Sequence, residues 1–209
     1  MEAVLDVYQR PYDCAHPVVC MDEMPKQLLG DTQAPLPMAP GQPKRTEHEY
    51  VREGTCSVWM FVEPLGGWRD VRATDRRTRK DWGAQVKSLV DDPRFAKAER
   101  ITLVCDNLNT HDTPSLYEAF PPEEARRLAR KLEIVHTPKK GSWLNIAEIE
   151  LSVLDRQCTY PRIPTLEEVQ ELTQAWTEER NKKQTKVNWQ FTTDKARVKL
   201  KRLYPIFEE

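Results

Sequence analysis

The stretch RITLVCDNLNTH (residues 100–111) opens with a nearly continuous apolar run, turns polar at Asp106 and ends at His111. A run of this kind fits a strand covered on both faces, as in the parallel sheets of α/β proteins. Its carboxyl end is where functional groups collect in such sheets. An aspartate there costs free energy unless a neighbour needs its charge. The fold class and the candidate chemistry both start from this element.

Working outward, HPVVCMDE (16–23) is a second short apolar run closing on a carboxylate and reads as a strand ending at Asp22. TCSVWMFVEPLGGWRDVRAT (55–74) reads as two strands around a Gly-Gly turn, and EIVHTP (133–138) as one more short strand. RKDWGAQVKSLVDDPRF (79–95) carries Trp82, Val86, Leu89 and Val90 at helical spacing with Pro93 as a stop. PPEEARRLARKL (121–132) begins with proline and acids and ends basic, a well-marked helix. SWLNIAEIELSVLDRQC (142–158) reads as a helix after a glycine turn. TLEEVQELTQAW (165–176) opens with a Thr165-x-x-Glu168 capping box, and TTDKARVKLKRLYP (192–205) is a basic helix stopped by Pro205. Strands first, then strands alternating with helices, predict an α/β mixed sheet with helices packed on it. One domain over residues 1–209 is the economical reading, with the proline-rich segment 30–49 as a loop insertion within it.

The bulk numbers exclude several classes. At 39% hydrophobic and 31% charged the chain is that of a globular protein, and a net charge of -1 gives no global pull toward a polyanion or a membrane. The N-terminus lacks the basic start and apolar core of a signal peptide, and no apolar run reaches membrane length. The five cysteines (14, 20, 56, 105, 158) are odd in number and form no CxxC pair. Cys14, His16 and Cys20 lack a fourth zinc ligand, so reduced thiols of a cytoplasmic protein are expected.

Two strands thus end in aspartate, Asp22 and Asp106, and a third acid, Glu148 or Glu150, lies near the start of a helix. If they converge, the three cannot all stay ionised without cations. Hard divalent cations with oxygen ligands answer that need, and two of them can clamp the attacking and leaving oxygens of a phosphodiester displacement. No serine or cysteine nucleophile is then required. Spacing alone leaves open that these aspartates merely cap turns.

VVCMDE, LVCDNLNTH and HTPKKGSWLNIAEIELSVLDRQ resemble the catalytic domain of insertion-sequence 630 family transposases, relatives of the mariner group, and the resemblance runs on through NWQFTTDKARVKLKRLYP. It implies a ribonuclease H-like fold, a catalytic and metal-binding triad of Asp22, Asp106 and Glu148, and two Mg²⁺ or Mn²⁺ ions. It implies cleavage of transposon ends and transfer of the freed 3′-hydroxyls to target DNA in the bacterial cytoplasm, by a homo-oligomer when two ends are joined. Asn145 corresponds to the Asn of the family's helix-start motif and His111 to the His after its second Asp. On a helical wheel Glu148 lies with Ser152 and Asp155, whereas Glu150 falls among Ile146, Ile149, Val153 and Leu154. The wheel singles out Glu150 as the odd carboxylate; the motif selects Glu148. The 41 residues between Asp106 and Glu148 exceed the family's commoner spacing, with the extra length around FPPEEARRLARK. The family's helix-turn-helix modules have no room ahead of Asp22, so the catalytic domain alone is expected.

Further residues carry open readings. His111 contacts metal, positions a phosphate or bonds a loop backbone; His136, Lys139 and Lys140 face the site or are solvated. Arg76, Arg77, Arg79 and Lys80 form one basic cluster, and Arg180, Lys182, Lys183, Lys186, Lys195, Arg197, Lys199, Lys201 and Arg202 make the C-terminal part basic, which suits DNA phosphates. Trp143 and Trp189 are expected in the core. A nuclease without strand transfer, and a catalytically idle DNA-binding or subunit-interaction fragment, are the competing functions.

Overall fold

Val18–Asp31 (β1) and Tyr50–Glu63 (β2) form a long antiparallel hairpin, extended by Trp68–Thr74 (β3) and, on the other side, by the parallel strands Ile101–Cys105 (β4) and Leu132–His136 (β5). The strand order is β3-β2-β1-β4-β5, a mixed five-stranded sheet. The helices are Glu2–Tyr8 (α1), Arg79–Val90 (α2), Thr113–Ala119 (α3), Pro122–Lys131 (α4), Ile146–Leu154 (α5), Leu166–Lys182 (α6) and Thr193–Lys199 (α7). The computed structural model describes residues 1–33, 38–42 and 48–204.

Both faces of the sheet are covered. On one, Cys20, Val58, Met60, Val62 and Val104 pack against α1, α5 and α6 through Val4, Leu5, Ile146, Leu151, Leu154 and Val169. On the other, Val19, Met21, Trp59, Phe61 and Leu103 meet Trp82, Val86 and Leu89 of α2, Leu116 of α3 and Leu128 of α4. The near-continuous apolar run of β4 follows from this double cover, since all five of its residues are buried.

The structure corrects several sequence expectations. β1 does not end at Asp22; it runs on to Asp31, placing Asp22 in mid-strand. Pro25 hid this continuation. β4 pairs with β1 only at Val18–Cys20, so beyond that point one side of β1 is an edge, where a missing amide is tolerated. The strand SVWMFVEP (57–64), expected within the 55–74 stretch, likewise starts earlier, at Tyr50. Part of the expected 30–49 loop, 34–37 and 43–47, lies outside the described residues, as does Pro205. The 142–158 helix is three pieces: a 3₁₀ turn at Ser142–Leu144, α5, and a π-type turn at Asp155–Thr159. α1 and α3 were not foreseen. Thr165 caps α6 by accepting from the Glu168 amide, and α2 carries a complete capping box from Thr78 and Asp81.

Candidate active site

The parallel register Val18↔Thr102, continued four residues, brings Asp22 level with Asp106 just past the end of β4. Period-two alternation then decides what each side chain meets. Asp22 follows Cys20 onto the α5 face, and Glu23 follows Val19 and Met21 onto the α2 face.

Asn145 ties α5 to Asp22. Its side-chain oxygen caps the helix by accepting from the Ala147 amide (3.1 Å), while its Nδ2 donates to the Met21 carbonyl (2.8 Å) and to Asp22 Oδ2 (3.2 Å). One fully buried amide thus starts the helix and pins it to β1. Glu148 falls in the first turn of that helix. Tyr8 of α1 braces the same turn by donating to the Leu144 carbonyl (2.8 Å).

Asp22 is only 8% exposed, and its pKa is pushed up to about 7. Burial is the main cause, and the charges of Asp106, Glu23 and Glu148 add to it against the Glu23 amide that donates to Oδ1. Neither Asp22 nor Glu148 forms an ion pair among the described residues. Asp106 is partly exposed. Its Oδ1 accepts from His111 Nδ1 at 2.5 Å, and His111 Nε2 lies 3.3 Å from Glu23 Oε2. His111 is 1% exposed and stacked on Trp82, ring centroids 5.8 Å apart. Burial opposes its charge, but the two carboxylates outweigh it and raise the imidazole to about 9. His111 therefore sits between two acids rather than open to a phosphate. Glu23 is a participant that the sequence reading missed; its only signal was adjacency to Asp22.

Glu150 points away from this cluster. It is 2% exposed and accepts two hydrogen bonds from the fully buried Arg69 (3.1 and 2.9 Å), with Arg180 of α6 at 3.2 Å. Burial would raise its pKa, but the two guanidiniums win and lower it. Arg69 is itself fixed by Asn181, which exchanges two 2.8 Å bonds with its backbone, and by the Thr185 carbonyl. The oddity on the helical wheel is thus a carboxylate paired with neighbouring cations.

The remaining candidates divide. His136 donates from Nε2 to the His111 carbonyl (2.8 Å), supporting that loop. Lys139 and Lys140 are exposed, Lys140 in a left-handed turn (φ 61°). Trp143 is not in the core; it is 44% exposed beside Phe191. Trp189 is half-buried against Tyr8. Several expected DNA-facing cations are engaged internally: Arg79 with Glu118, Arg180 with Glu150 and Arg197 with Glu2. Arg77, Lys80, Lys182, Lys186, Lys199, Lys201 and Arg202 are exposed. Cys14 is exposed and Cys20 buried against Tyr8, while His16 bonds Asp13, so the three do not gather into a zinc site. All five cysteines are free. Among the described residues no helix is long and apolar enough to cross a membrane.

Asp22, Asp106 and Glu148, the carboxylates expected from the sequence to hold a hard cation, lie near enough for the charges of Asp106 and Glu148 to act on Asp22. Among the described residues no group of three His, Cys, Asp or Glu is placed to hold a metal ion. Burial first, and then the charges of Asp106, Glu23 and Glu148, raise Asp22, and a bound cation would offset both.

Residues 17–170 match the family model described as DDE superfamily endonuclease. Among solved structures the chain is similar to the Mos1 strand transfer complex (TM-score 0.54, 15% identity, 88% of this chain and 58% of that one). It is similar also to the Mos1 transposase paired-end complex with left transposon end (0.53, 15%, 88% and 58%) and to the Mos1 mariner paired end complex with Mn (0.51, 14%, 88% and 56%). The chain spans less than three-fifths of the length of those chains. At this identity the likeness concerns the fold, the ribonuclease H-like mixed sheet flanked by helices that the family resemblance implies. No curated protein matches the sequence.

Proposed function

The chain belongs to the DDE superfamily endonucleases, and from that premise we propose that it is the catalytic domain of an insertion-sequence 630 type transposase, cutting DNA at transposon ends and joining the 3′-hydroxyls to target DNA. One observation carries the reading. Asp22, buried in mid-strand, is raised to about 7 by burial and by the charges of Asp106, Glu23 and Glu148, with no cation paired to it among the described residues. A protein that needed these acids only for its fold would have supplied a cation, as it does for Glu150.

The donor set fits Mg²⁺ or Mn²⁺, which take carboxylate oxygens. Asp22, Asp106 and Glu148 would hold the ions, two in this reading. When bound, such ions lower the pKa of a water or 3′-hydroxyl nucleophile and absorb charge on the leaving oxygen. The chain's own residues do the rest. Asn145 fixes Asp22 and the first turn of α5 together, so Glu148 keeps its position relative to β1. The exposed Lys139 and Lys140, with the basic residues around Arg77 and beyond Lys182, meet the DNA backbone and make its affinity fall steeply with salt. A homo-oligomer bringing two transposon ends together, acting in the bacterial cytoplasm, belongs to the same proposal.

The test incubates the chain with pre-cut transposon-end DNA, a target duplex and Mn²⁺ or Mg²⁺. Joined products support the reading. Cleavage without joining makes the chain a nuclease, and DNA bound but unaltered, with Asp106→Asn changing nothing, makes it a binding module.

A further inference from the structure

Asp22 and Glu23 are neighbours in sequence, but the strand sends them to opposite faces of the sheet. Asp22 meets Asn145 on the α5 side, and Glu23 meets His111 on the α2 side. Because β4 stops at Cys105, nothing of the sheet separates Glu23 from the loop that carries Asp106 and His111. Glu23 is 2% exposed along its side chain, and among the described residues its Oε2 receives no hydrogen bond and meets the His111 ring at 3.3 Å. Leaving a carboxylate there without arginine or lysine is costly.

The imidazole between the two acids has little freedom. Its plane lies against Trp82, its backbone carbonyl accepts from His136, and its two nitrogens face Asp106 and Glu23. Both donors that reach Asp106, His111 Nδ1 and the Leu108 amide, go to Oδ1. Among the described residues Oδ2 receives none, and the side chain is 31% exposed.

We propose that Glu23 is a positioning residue: acting through His111, it commits Asp106 Oδ1 to the buried chain and keeps Oδ2 for a divalent cation. The inference rests on the reading of Asp106 as a metal-holding carboxylate. Partners of this kind orient ligating groups and set their basicity, and losing one typically weakens metal affinity roughly 10- to 100-fold. The dipeptide Asp22-Glu23 then serves the site twice, once directly and once from behind.

The test measures Mn²⁺ affinity of the metal-free chain by counting free ion with electron paramagnetic resonance, with thermal unfolding alongside. Asp106→Asn should abolish binding. Glu23→Gln, which keeps size and removes charge, should weaken it roughly 10- to 100-fold, His111→Asn similarly, and the double variant no further than the worse single one. A merely structural role would lower the melting temperature and leave the affinity of the folded fraction where it was. Should Glu23→Gln not fold, His111→Gln carries the same comparison. Folded Glu23→Gln binding Mn²⁺ within about twofold of wild type overturns the inference and leaves the metal reading of Asp106 standing. A wild-type chain that binds Mn²⁺ with this dependence but neither cuts nor joins DNA overturns the proposed function and leaves the inference standing. A wild-type chain that binds no Mn²⁺ overturns both.

Discussion

Glu148 and Glu150 stand two residues apart on α5, about 200° around the helix, and the molecule treats them in opposite ways. Glu150 is buried between Arg69 and Arg180, its charge answered by two guanidiniums. Glu148 is half-buried, adds repulsion to Asp22 and has no ion-pair partner among the described residues. A buried ion pair contributes little net stability, yet removing one partner is expensive. Such a pair fixes geometry: the Arg69–Glu150 contact sets the rotation of α5 about its axis, and Asn145 sets its start. The direction of Glu148 is thus determined by groups that do not touch it.

The division can be broken from either side. Glu148→Gln is expected to lower strand joining on the order of 10³-fold, the several kcal/mol that a metal-holding carboxylate supplies, while the melting temperature stays level or rises. Arg69→Met is expected to do the reverse at first instance, destabilising the fold. It leaves Glu150 short of its main cation at a cost of about 3–5 kcal/mol, or roughly 6–20 °C. The double variant Arg69→Met/Glu150→Leu should recover most of that loss, since a buried pair exchanged for apolar groups is often neutral. Calorimetry with a joining assay on the same preparations reads both. A Glu148 variant that lost stability as well as activity would erase the contrast.

What the sequence made legible follows the same line. The apolar run of β4, covered on both faces, announced a strand and the Asp106 just past its end directly. β1 was legible only as far as Asp22, because Pro25 and the polar Lys26 and Gln27 break the pattern of a buried strand. The free edge beyond Cys20 accommodates Pro25, and Lys26 and Gln27 lie where the strand is no longer fully buried. The helical wheel noticed Glu150 but could not supply its partners, since Arg69 lies 81 residues away in β3 and Arg180 30 residues away in α6. Glu23 was hidden for a different reason. Its neighbour His111 is brought near by the topology of the sheet, and no spacing along the chain reports it. Trp143 misled because a tryptophan is usually core, whereas the 3₁₀ turn before α5 turns it outward.

pH separates the two regions by sign. The folded value of Asp22, about 7, lies above its ordinary 3.8, so its contribution is full below about pH 4 and is lost as pH rises through 7, at most about 4 kcal/mol. His111, raised from 6.5 to about 9, adds a loss in the same direction between those values. Glu150 is lowered, so its contribution is present above its ordinary value of 4.5 and disappears as pH falls below it. Unfolding of the metal-free chain between pH 3 and 9 should therefore show two limbs (roughly the span of the ordinary carboxylate and raised values). Asp22→Asn should make the alkaline limb shallower, leaving the share of His111. Arg69→Met should make the acid limb shallower, leaving the share of other lowered carboxylates such as Asp91 and Glu133. Loss of both limbs in either variant would mean that the clusters are one coupled network.

The smallest effect tests how far the supporting side reaches. Thr165 caps α6 by accepting from the Glu168 amide, and Thr165→Ala should cost about 1 kcal/mol, or about 2–4 °C. Arg180 lies 15 residues farther along that helix, about 22 Å at the α-helical rise. A lost cap is felt mainly in the first turn, and the last turns of α6 remain held by the Asn181 bonds to Arg69 and by Arg180 on Glu150. The variant should thus unfold slightly earlier, with Mn²⁺ affinity and joining rate per folded molecule unchanged. A drop in either would mean that α6 transmits its whole length to α5, and that Glu148 is aimed by the helix rather than by the buried arginine.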